Sequence, residues 1–499
     1  MNAPLSSNAT ADDLLAQNVH PPNWKNKTPA PRYDLLVVGG GTAGLVSAVG
    51  AAGLGARVAL VEREALGGDC LNTGCVPSKA LLESAWRLER DRSAMMGDDL
   101  QVAFRSAMDR MRGLRAAMSH HDSVARLTQV GVDVFFGNAE FIKKNVVEVD
   151  KKQLRFKRAI VATGASPAIP PIPGLDEIPF LTSQTIFSLS SLPPRIAVIG
   201  AGPIGCELAQ AFARFGSDVF LLEVADGILP REDPEAIALV KAGLLRDGVH
   251  VFTGCENIEV RRSNDGRIGV SCLHQSGPVD HDVDQLLVAT GRTPNSDSLN
   301  LDAAQIRIGP RGHILVDDVL RTTNRRIYAA GDVCSQYQFT HAADALARIA
   351  VGNALFGLRG RASRLCIPWA TYTSPEIAQI GVLPDEAVRR GWEVETYIQP
   401  FSEVDRCVIR GETDGFVKVY VRQRSDKIVG ATAVGKGASE LIGALSLAMT
   451  AGVGLKQMAK TIFPYPTEGD ILRRLGDQYN RGRLSPAIKW LLARWIAWR

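Results

Sequence analysis

Two cysteines in the N-terminal part of the chain have a spacing suited to thiol–disulfide chemistry. They lie in the segment GGDCLNTGCVPSK, residues 67–79, where four residues separate Cys70 from Cys75. At a helix start this spacing places the thiols about a turn and a half apart, so that they can close a strained, reducible disulfide. A nearby cation lowers the pKa of a thiol, and Lys79 is such a cation if its head group turns toward the pair. The alternative is a pair of buried structural cysteines.

Two glycine-rich turns follow short apolar runs that predict buried parallel strands. The runs and their turn glycines are Tyr33 to Val38 with Gly39, Gly41 and Gly44, and Arg195 to Ile199 with Gly200, Gly202 and Gly205. A predicted helix and a second strand follow each turn, and the strand leads to an acid, Glu62 or Glu223. The acid comes 23 positions after the first glycine in both copies (39 to 62 and 200 to 223). The chain therefore repeats a βαβ unit.

This repeat favours two dinucleotide-binding sites. In such turns the first glycine permits the bend, the second lets the backbone approach a pyrophosphate, and the third allows close packing of the helix. The phosphate binds the N–H groups at the helix start, and the acid accepts hydrogen bonds from the ribose hydroxyls. Either turn alone has an ordinary glycine-rich turn as its alternative interpretation.

Glu223 bears on the choice between the two nicotinamide cofactors. A carboxylate repels a 2′-phosphate and accepts hydrogen bonds from a free 2′-hydroxyl, so NADH is favoured over NADPH. In the alternative, Glu223 points to solvent and Arg231 or another base binds the phosphate of NADPH.

The remaining elements are predicted from matching segments and from hydrophobic pattern. Ala159 to Gly164 (AIVATG) and Leu286 to Gly291 (LLVATG) each resemble the returning strand of a nucleotide-binding domain. After Cys366 an alternating strand at Gly415 to Val421 and a helix at Ser439 to Met449 indicate a separate α+β domain.

Composition excludes several classes of protein. Eight cysteines in 499 residues are too few for a disulfide-stapled secreted scaffold. The net charge of +4 comes without a Lys/Arg block, so no nucleic-acid partner is predicted. The first thirty residues show no basic and apolar leader pattern, which predicts a cytoplasmic location and a disordered or loosely docked arm.

These motifs together resemble the class I pyridine nucleotide–disulfide oxidoreductases, which include dihydrolipoamide dehydrogenase, glutathione reductase and mercuric reductase. The resemblance covers roughly residues 32 to 475 and includes Ile327 to Val333 (IYAAGDV). It implies that the first turn binds FAD, that the second binds the nicotinamide cofactor, and that Asp332 contacts the ribityl and phosphate part of FAD. The implied cofactor-binding residues are Gly39, Gly41, Gly44, Glu62, Gly164, Gly200, Gly202, Gly205, Glu223, Gly291, Gly331 and Asp332.

The resemblance also implies catalytic roles. Cys75 matches the thiol next to the flavin, which forms a charge-transfer complex as a thiolate, and Cys70 matches the outer thiol that attacks substrate. Lys79 and Glu207 match an ion pair near the reactive edge of the flavin, where a fixed cation stabilises developing negative charge. For Glu207 the alternative is an ordinary helix residue.

The chain departs from the disulfide reductases of this family at the acid–base residue. They carry a His-Pro near the C-terminus with a Glu five residues after the His, whereas this chain has Tyr465 and Asp470 at those places. None of the eight histidines follows His341, and a phenol with a pKa of about 10 is a poor proton shuttle. Efficient turnover of lipoamide or glutathione is therefore disfavoured.

The segment Phe463-Pro464-Tyr465 is similar to the mercuric reductase subgroup, whose substrate Hg(II) needs two thiolate ligands and no proton donor. Cys70 and Cys75 would then bind Hg(II) transiently. Two features of that subgroup are missing, an N-terminal C-x-x-C module and a C-terminal pair of cysteines, because the first cysteine is Cys70 and the last is Cys407. Tyr465 as a packing aromatic residue stays an equal alternative.

The C-terminal tail KWLLARWIAWR, residues 489–499, predicts an amphipathic helix with three tryptophans. Ile488, Leu491, Leu492, Trp495 and Trp498 fall on one side of it. Docking on the chain's own body or on a dimer mate is favoured, and peripheral contact of residues 486–499 with the inner membrane face is the alternative.

The predicted fold class is α/β, with two Rossmann-like dinucleotide-binding domains for FAD and NAD and a C-terminal α+β dimerisation domain. The predicted boundaries are an arm at 1–30, the FAD-binding domain at 31–180 and 301–360, the NAD(P)-binding domain at 181–300, the dimerisation domain at 361–480 and the tail at 481–499. The predicted protein is a homodimeric FAD-dependent NADH (or NADPH) oxidoreductase that reduces Hg(II) or a related soft electrophile through Cys70 and Cys75. The alternatives are a dihydrolipoamide-dehydrogenase-like disulfide reductase with an atypical proton donor, and a membrane-associated flavoprotein that senses redox state or binds metal.

Overall fold

A computed structural model describes residues 10–88, 97–263 and 265–499. The chain divides into two compact units, the first formed by Met1–Val224 with Phe252–Leu365 and the second by Ala225–Val251 with Cys366–Arg499. Each unit is therefore built from two separate stretches of sequence.

In the first unit a strand–helix–strand succession occurs twice, at residues 33–62 (β1-α2-β2) and at residues 195–223 (β8-α7-β9), and the second unit is built mainly on antiparallel strands. The strands are β1 Tyr33–Val38, β2 Val58–Glu62, β3 Val132–Phe136, β4 Glu140–Lys143, β5 Val146–Val149, β6 Lys152–Val161, β7 Ala165–Pro167, β8 Arg195–Ile199, β9 Asp218–Glu223, β10 Val249–Thr253, β11 Glu256–Arg262, β12 Ile268–His274, β13 Gly277–Val283, β14 Gln285–Val288, β15 Arg292–Pro294, β16 Ile327–Ala329, β17 Pro368–Thr371, β18 Ile377–Gly381, β19 Val394–Pro400, β20 Phe416–Arg422 and β21 Ile428–Val434. The helices are α1 Ala11–Val19, α2 Thr42–Gly53, α3 Gly68–Asn72, α4 Cys75–Leu88, α5 Asp98–Met118, α6 Val124–Gln129, α7 Pro203–Phe215, α8 Pro234–Arg246, α9 Thr340–Phe356, α10 Pro384–Arg389, α11 Asp405–Arg410, α12 Ala438–Ala451, α13 Leu455–Met458, α14 Asp470–Gly482 and α15 Pro486–Trp498.

The largest sheet of the first unit is centred on β1. Its strand order is β3-β2-β1-β6-β5-β4, and β16 also pairs with β6. The strands β3, β2, β1, β6 and β16 run parallel. Leu35 and Val37 face a core shared with α2 and α9, while Leu36 and Val38 face a second core on the other side. Burial on both faces explains why β1 is a continuous apolar run.

A second parallel sheet in the same unit contains the neighbouring strands β9, β8 and β14. Helix α7 follows β8 as α2 follows β1. Its last residue, Phe215, is fully buried, and Gly216 ends the helix in the left-handed region at φ 108°. The two halves of the predicted repeat thus have the same local architecture.

The second unit is built on the antiparallel sheet β17-β18-β21-β20-β19. Helices α12 and α8 pack on this sheet. Lys418 on β20 is buried and forms an ion pair with Asp233, which also caps the N-terminus of α8. Tyr420 donates a hydrogen bond to the same carboxylate at 3.0 Å. Residues 225–251 are therefore an integral part of this unit.

The predicted α/β fold class is confirmed, and local boundaries shift by a few residues. Strands β1 and β8 have the predicted bounds, and the helix predicted after the second turn begins at Pro203. Gly202 occupies the N-cap position and Pro203 the first turn, where a proline needs no hydrogen-bond donor. The helix predicted at Ser439 to Met449 extends over Ala438–Ala451.

The expectation of a disordered or loosely docked N-terminal arm is wrong for Ala11–Val19, which form α1. Thr10 and Asp13 form a reciprocal capping box at its start. Val19 is buried in the core of the first unit, and its carbonyl accepts a hydrogen bond from the N–H of Leu66. Residues 1–9 of the predicted arm lie outside the described part of the chain.

The predicted tail helix is present as α15, and it buries none of its residues on the described part of the chain. Ser485 caps it by accepting a hydrogen bond from the N–H of Ile488 at 3.3 Å. All residues of α15 are exposed, so the expectation of docking on the chain's own body is wrong. Among the described residues, no helix is long and apolar enough to cross a bilayer.

Candidate active site

The two predicted redox cysteines lie side by side in the first unit as thiols. Cys70 is in the short helix α3, and Cys75 is the first residue of α4. A hydrogen bond from Cys70, a second with the Thr340 hydroxyl and the nearby charge of Lys79 lower the pKa of Cys75 to about 6, against the opposing effect of burial. The same hydrogen bond, together with burial, raises the pKa of Cys70 well above its ordinary value. Cys75 is therefore the thiolate of the pair at neutral pH.

Lys79 and Glu207 form the ion pair that the resemblance implies. Lys79 Nζ lies 2.7 Å from Glu207 Oε2, joining α4 to α7. The side chain of Glu207 is only 5% exposed, so this carboxylate is held in a setting of low polarity. The pair fixes a cation one helical turn from Cys75, where it stabilises the thiolate.

The two glycine turns have nearly identical geometry. Gly39 and Gly200 both have φ of +106°, a left-handed conformation that favours glycine. A Cβ on Gly44 would lie 1.8 Å from the carbonyl oxygen of Gly39, and a Cβ on Gly205 would lie 1.8 Å from that of Gly200. Only glycine allows each helix to pack this closely on its own turn.

The helix starts after these turns fit the pyrophosphates of two dinucleotides. Gly41 and Gly202 are the N-cap residues of α2 and α7, and neither start has a side-chain cap or an acid in its first turn. Their first N–H groups are therefore available to an anion. A Cβ on Gly202 would meet no protein atom within 4 Å, so this side of the turn has room for a phosphate.

Two acids hold equivalent positions at the ends of β2 and β9. Glu62 Oε2 accepts a hydrogen bond from the N–H of Gly40 at 2.6 Å, and Glu223 Oε2 accepts one from the N–H of Ala201 at 2.7 Å. Each carboxylate is thereby fixed beside the turn where a ribose would lie.

Because Glu223 carries a fixed negative charge beside the second turn, we expect Glu223→Gln to weaken the preference for NADH over NADPH. Glutamine keeps an acceptor for the Ala201 N–H and removes the charge that repels a 2′-phosphate. The ratio of kcat/KM for NADH to that for NADPH should fall about tenfold or more. Glu256→Gln is the control, since it removes an exposed acid of the same unit. An unchanged ratio in Glu223→Gln would show that this carboxylate does not face the cofactor.

Asp332 lies beside two charged residues that sequence reasoning missed. Arg292 forms an ion pair with Asp69, and its Nε lies 3.5 Å from Asp332 Oδ2. This buried Nε makes no hydrogen bond in the structure. Burial raises the pKa of Asp332 to about 6, and the charge of Arg292 opposes that shift. Arg292 thus connects Asp69, the residue before Cys70, with the acid expected to contact FAD.

The other predicted cofactor glycines end strands or begin loops in left-handed conformations. Gly164, Gly291 and Gly331 have φ of 67°, 134° and 82°. The first two follow β6 and β14, and Gly331 follows β16. The three glycines therefore lie at the carboxyl ends of parallel strands, and α/β folds bind their ligands at these ends.

Tyr465 and Asp470 do not pair with each other in the second unit. Tyr465 is 73% exposed and donates a hydrogen bond to Asp405 Oδ2 at 2.8 Å. Asp470 instead accepts hydrogen bonds from Arg473 and Arg474 at 2.8 and 2.7 Å. Burial raises the pKa of Asp470, but these two bonds leave it below its ordinary value.

Asp405 is therefore the acid partner of Tyr465, and sequence reasoning missed it. Its hydrogen bond and its charge raise the pKa of the Tyr465 phenol. The phenol consequently stays protonated at neutral pH. Asp405 lies 60 positions before Tyr465, and no local pattern connects the two residues.

Comparison with known proteins places these sites in a family. Residues 33–347 match the family described as pyridine nucleotide-disulphide oxidoreductase, and residues 367–474 match its dimerisation domain. The chain belongs to the pyridine nucleotide-disulphide oxidoreductase family. The predicted resemblance is thereby confirmed. Members of this family are FAD-dependent and take electrons from a pyridine nucleotide, which agrees with the paired turns.

Relatives with different names match most of the chain. A mercuric reductase of Bacillus cereus is 35% identical over 446 residues, covering 88% of this chain and 70% of that protein. A dihydrolipoyl dehydrogenase of Bacillus subtilis (strain 168) is 33% identical over 449 residues, covering 88% of this chain and 94% of that protein. The family is thus shared by oxidoreductases that act on different acceptors.

A solved structure of a flavoprotein disulfide reductase has a similar fold. The HOCl-induced flavoprotein disulfide reductase RclA from Escherichia coli gives a TM-score of 0.80 at 28% identity, covering 89% of this chain and 99% of that chain. Its Cu(II) complex gives a TM-score of 0.79 at 28% identity, covering 90% of this chain and 100% of that chain.

Proposed function

We propose that this oxidoreductase uses NADH and FAD to reduce a thiophilic metal ion, Hg(II) in the first place, at Cys70 and Cys75. The observation that carries the proposal is a dithiol with one thiol poised as a thiolate, in a chain whose residues 366–499 contain no histidine. When bound, FAD would supply the two-electron relay between the nicotinamide and the metal ion held by the Cys70 and Cys75 thiolates.

The residues of the dithiol suit a soft metal ion. Cys75 offers a thiolate at neutral pH, and Cys70 becomes the second thiolate when it gives up its hydrogen-bonded proton. Thiolates are the preferred ligands of soft metal ions. The positive charge of Lys79 beside Cys75 offsets the negative charge of the thiolates at the site. In the overall reaction, NADH gives up two electrons and one proton to become NAD⁺, the proton passes to solvent, and Hg(II) accepts both electrons to become Hg(0).

Disulfide substrates are disfavoured by the residue at position 465. Reduction of a disulfide releases a thiolate that must gain a proton, a step that suits a group with a pKa near neutrality. Tyr465 cannot titrate there, because a phenol has an ordinary pKa of about 10 and Asp405 raises the pKa of this one further. A metal ion accepts electrons without needing such a proton.

A homodimer is part of the proposal. Residues 367–474 match the dimerisation domain, and Tyr465 within that stretch is largely exposed. In a homodimer, an exposed Tyr465 is available to complete the acceptor site of a second subunit. A cytoplasmic location is proposed with it, since free thiols need a reducing compartment.

Consumption of NADH with different acceptors tests the proposal. We expect purified holoenzyme to oxidise NADH when Hg(II) is added in excess thiol, and to turn over lipoamide or glutathione disulfide at least about a hundredfold more slowly, the range that general acid–base catalysis contributes. Cu(II) is a second metal to test, because RclA has been solved as a Cu(II) complex.

Tyr465→Phe distinguishes the metal reductase from the alternative disulfide reductase. We expect the variant to keep its residual rate with lipoamide, because the phenol moves no proton there. Efficient lipoamide turnover by wild type and by Tyr465→Phe, without any Hg(II)-dependent NADH consumption, would contradict the proposal and favour the dihydrolipoyl dehydrogenase function of the Bacillus subtilis relative.

A further inference from the structure

The C-terminal helix α15 is a folded element that buries none of its residues against the described part of the chain. It comprises 13 residues, and every one of them is exposed. Ser485 and Pro486 supply a capped helix start, so the helix is set by its own sequence. At 1.5 Å per residue it is about 20 Å long, too short for the roughly 30 Å core of a bilayer. It can lie along a membrane surface but cannot span the membrane.

The apolar side of α15 is rich in large side chains. Leu491, Leu492 and Trp495 lie at its centre, and the Trp495 and Trp498 rings are 5.8 Å apart. Trp498 is 79% exposed, and Leu491 is 58% exposed. A surface of this size and composition in water indicates a binding partner. Tryptophan in particular is enriched at the boundary between lipid and water.

Positive charge surrounds this apolar side. Lys489 and Arg494 lie on the opposite face of the helix, one at each edge of that face. The Arg494 guanidinium stacks over the Trp490 ring, 5.3 Å from the ring centroid. No acid follows Asp477, whereas the end of the chain carries five basic residues, which are Arg481, Arg483, Lys489, Arg494 and Arg499. A partner with dense negative charge is complementary to this segment.

The tail also lies beyond the part of the chain that the family uses for dimerisation. The dimerisation match ends at residue 474, eleven residues before the Ser485 cap. The helix therefore lies outside the matched dimerisation domain and presents its own exposed surface.

We propose that α15 docks in the plane of an anionic phospholipid bilayer, with its tryptophan side in the lipid and its lysine and arginine side chains at the headgroups. Amphipathic helices of this kind bind through buried apolar area and attraction to anionic lipid together. The proposal is independent of the acceptor, and it places the whole oxidoreductase at a membrane surface.

Co-sedimentation of the full-length holoprotein with lipid vesicles tests this inference. We expect it to bind vesicles of phosphatidylcholine with phosphatidylglycerol and to bind pure phosphatidylcholine vesicles much more weakly. Deletion of residues 486–499 should abolish binding while flavin content and NADH oxidation are kept. Lys489→Gln with Arg494→Gln should weaken the vesicle partition coefficient about thirtyfold, since each basic residue near such a surface contributes about 1 kcal/mol.

Lys143→Gln with Lys144→Gln is the matched control, because both lysines are exposed and the same charge is removed far from α15 in sequence. This variant should bind as wild type does. Equal binding by the tail deletion, or no binding by wild type, would overturn the proposal. Loss of the dimer in the deletion variant, measured by light scattering, together with no vesicle binding by wild type, would instead make a second copy of the chain the partner.

Discussion

Replacing Cys75 with serine is expected to abolish the long-wavelength absorbance that a thiolate next to bound flavin produces, whereas Cys70→Ser should retain it. Cys75 is the thiol whose pKa is lowered to about 6, and Cys70 is the one that donates the hydrogen bond. Both variants should reduce the metal acceptor about a thousandfold more slowly or worse, the scale expected when a nucleophile is removed. Anaerobic titration with NADH, followed by absorbance, is the measurement.

The pH dependence of that absorbance gives an independent check. In the NADH-reduced wild type it should be present above pH 6 and disappear as the pH falls through about 6, because protonation removes the Cys75 thiolate. Cys70→Ala removes the hydrogen-bond donor, so the midpoint should move to higher pH; Cys70→Ser, which keeps a hydroxyl, should move it less. Absorbance that survives in Cys75→Ser and disappears in Cys70→Ser would reverse the assigned roles.

Two glycine-to-alanine substitutions in the second turn should separate stability from binding: Gly205→Ala should lower the melting temperature, and Gly202→Ala should weaken binding of NADH. Gly205→Ala places a Cβ at 1.8 Å from the Gly200 carbonyl oxygen, so the helix must move away from its turn. We expect a loss of about 3 kcal/mol, equivalent to roughly 6–12 °C in melting temperature. Gly202→Ala meets no protein atom within 4 Å and has an ordinary extended φ, so its melting temperature should equal that of wild type.

Gly202→Ala should instead raise KM for NADH about tenfold or more, because its methyl group occupies the side of the turn where the pyrophosphate would bind. Gly41→Ala is the matched control in the first turn, where the added Cβ lies at an ordinary 3.6 Å from Gly68. It should lower FAD content and leave KM for NADH of the FAD-loaded fraction unchanged. A Gly202→Ala variant with wild-type KM would show that the second turn does not hold the nicotinamide cofactor.

The bounds of individual strands next to the glycine turns could be predicted from the sequence alone. The bounds of β1 and β8 were predictable because a buried parallel strand is a continuous apolar run that ends at a turn glycine. The ion pair between Lys79 and Glu207 was predictable only through the family resemblance, since 128 positions separate the two residues.

Contacts between distant residues without a motif were not predictable. Asp405 binds Tyr465 across 60 positions, and Arg292 binds Asp69 across 223. Such pairs depend on how whole elements pack, which no local pattern encodes. Helix α1 is a different case, because Thr10 and Asp13 have the spacing of a capping box and signal a helix start in the sequence itself.

The ion pair between Lys418 and Asp233 limits how this protein can be divided. A fragment that begins at residue 367, where the match to the dimerisation domain starts, would lack Asp233. It would therefore bury the Lys418 amine without its counter-ion. Breaking such a buried pair costs about 3–5 kcal/mol. A C-terminal piece expressed by itself should therefore precipitate or recruit chaperones, while supplying residues 225–251 as a separate peptide should rescue its solubility.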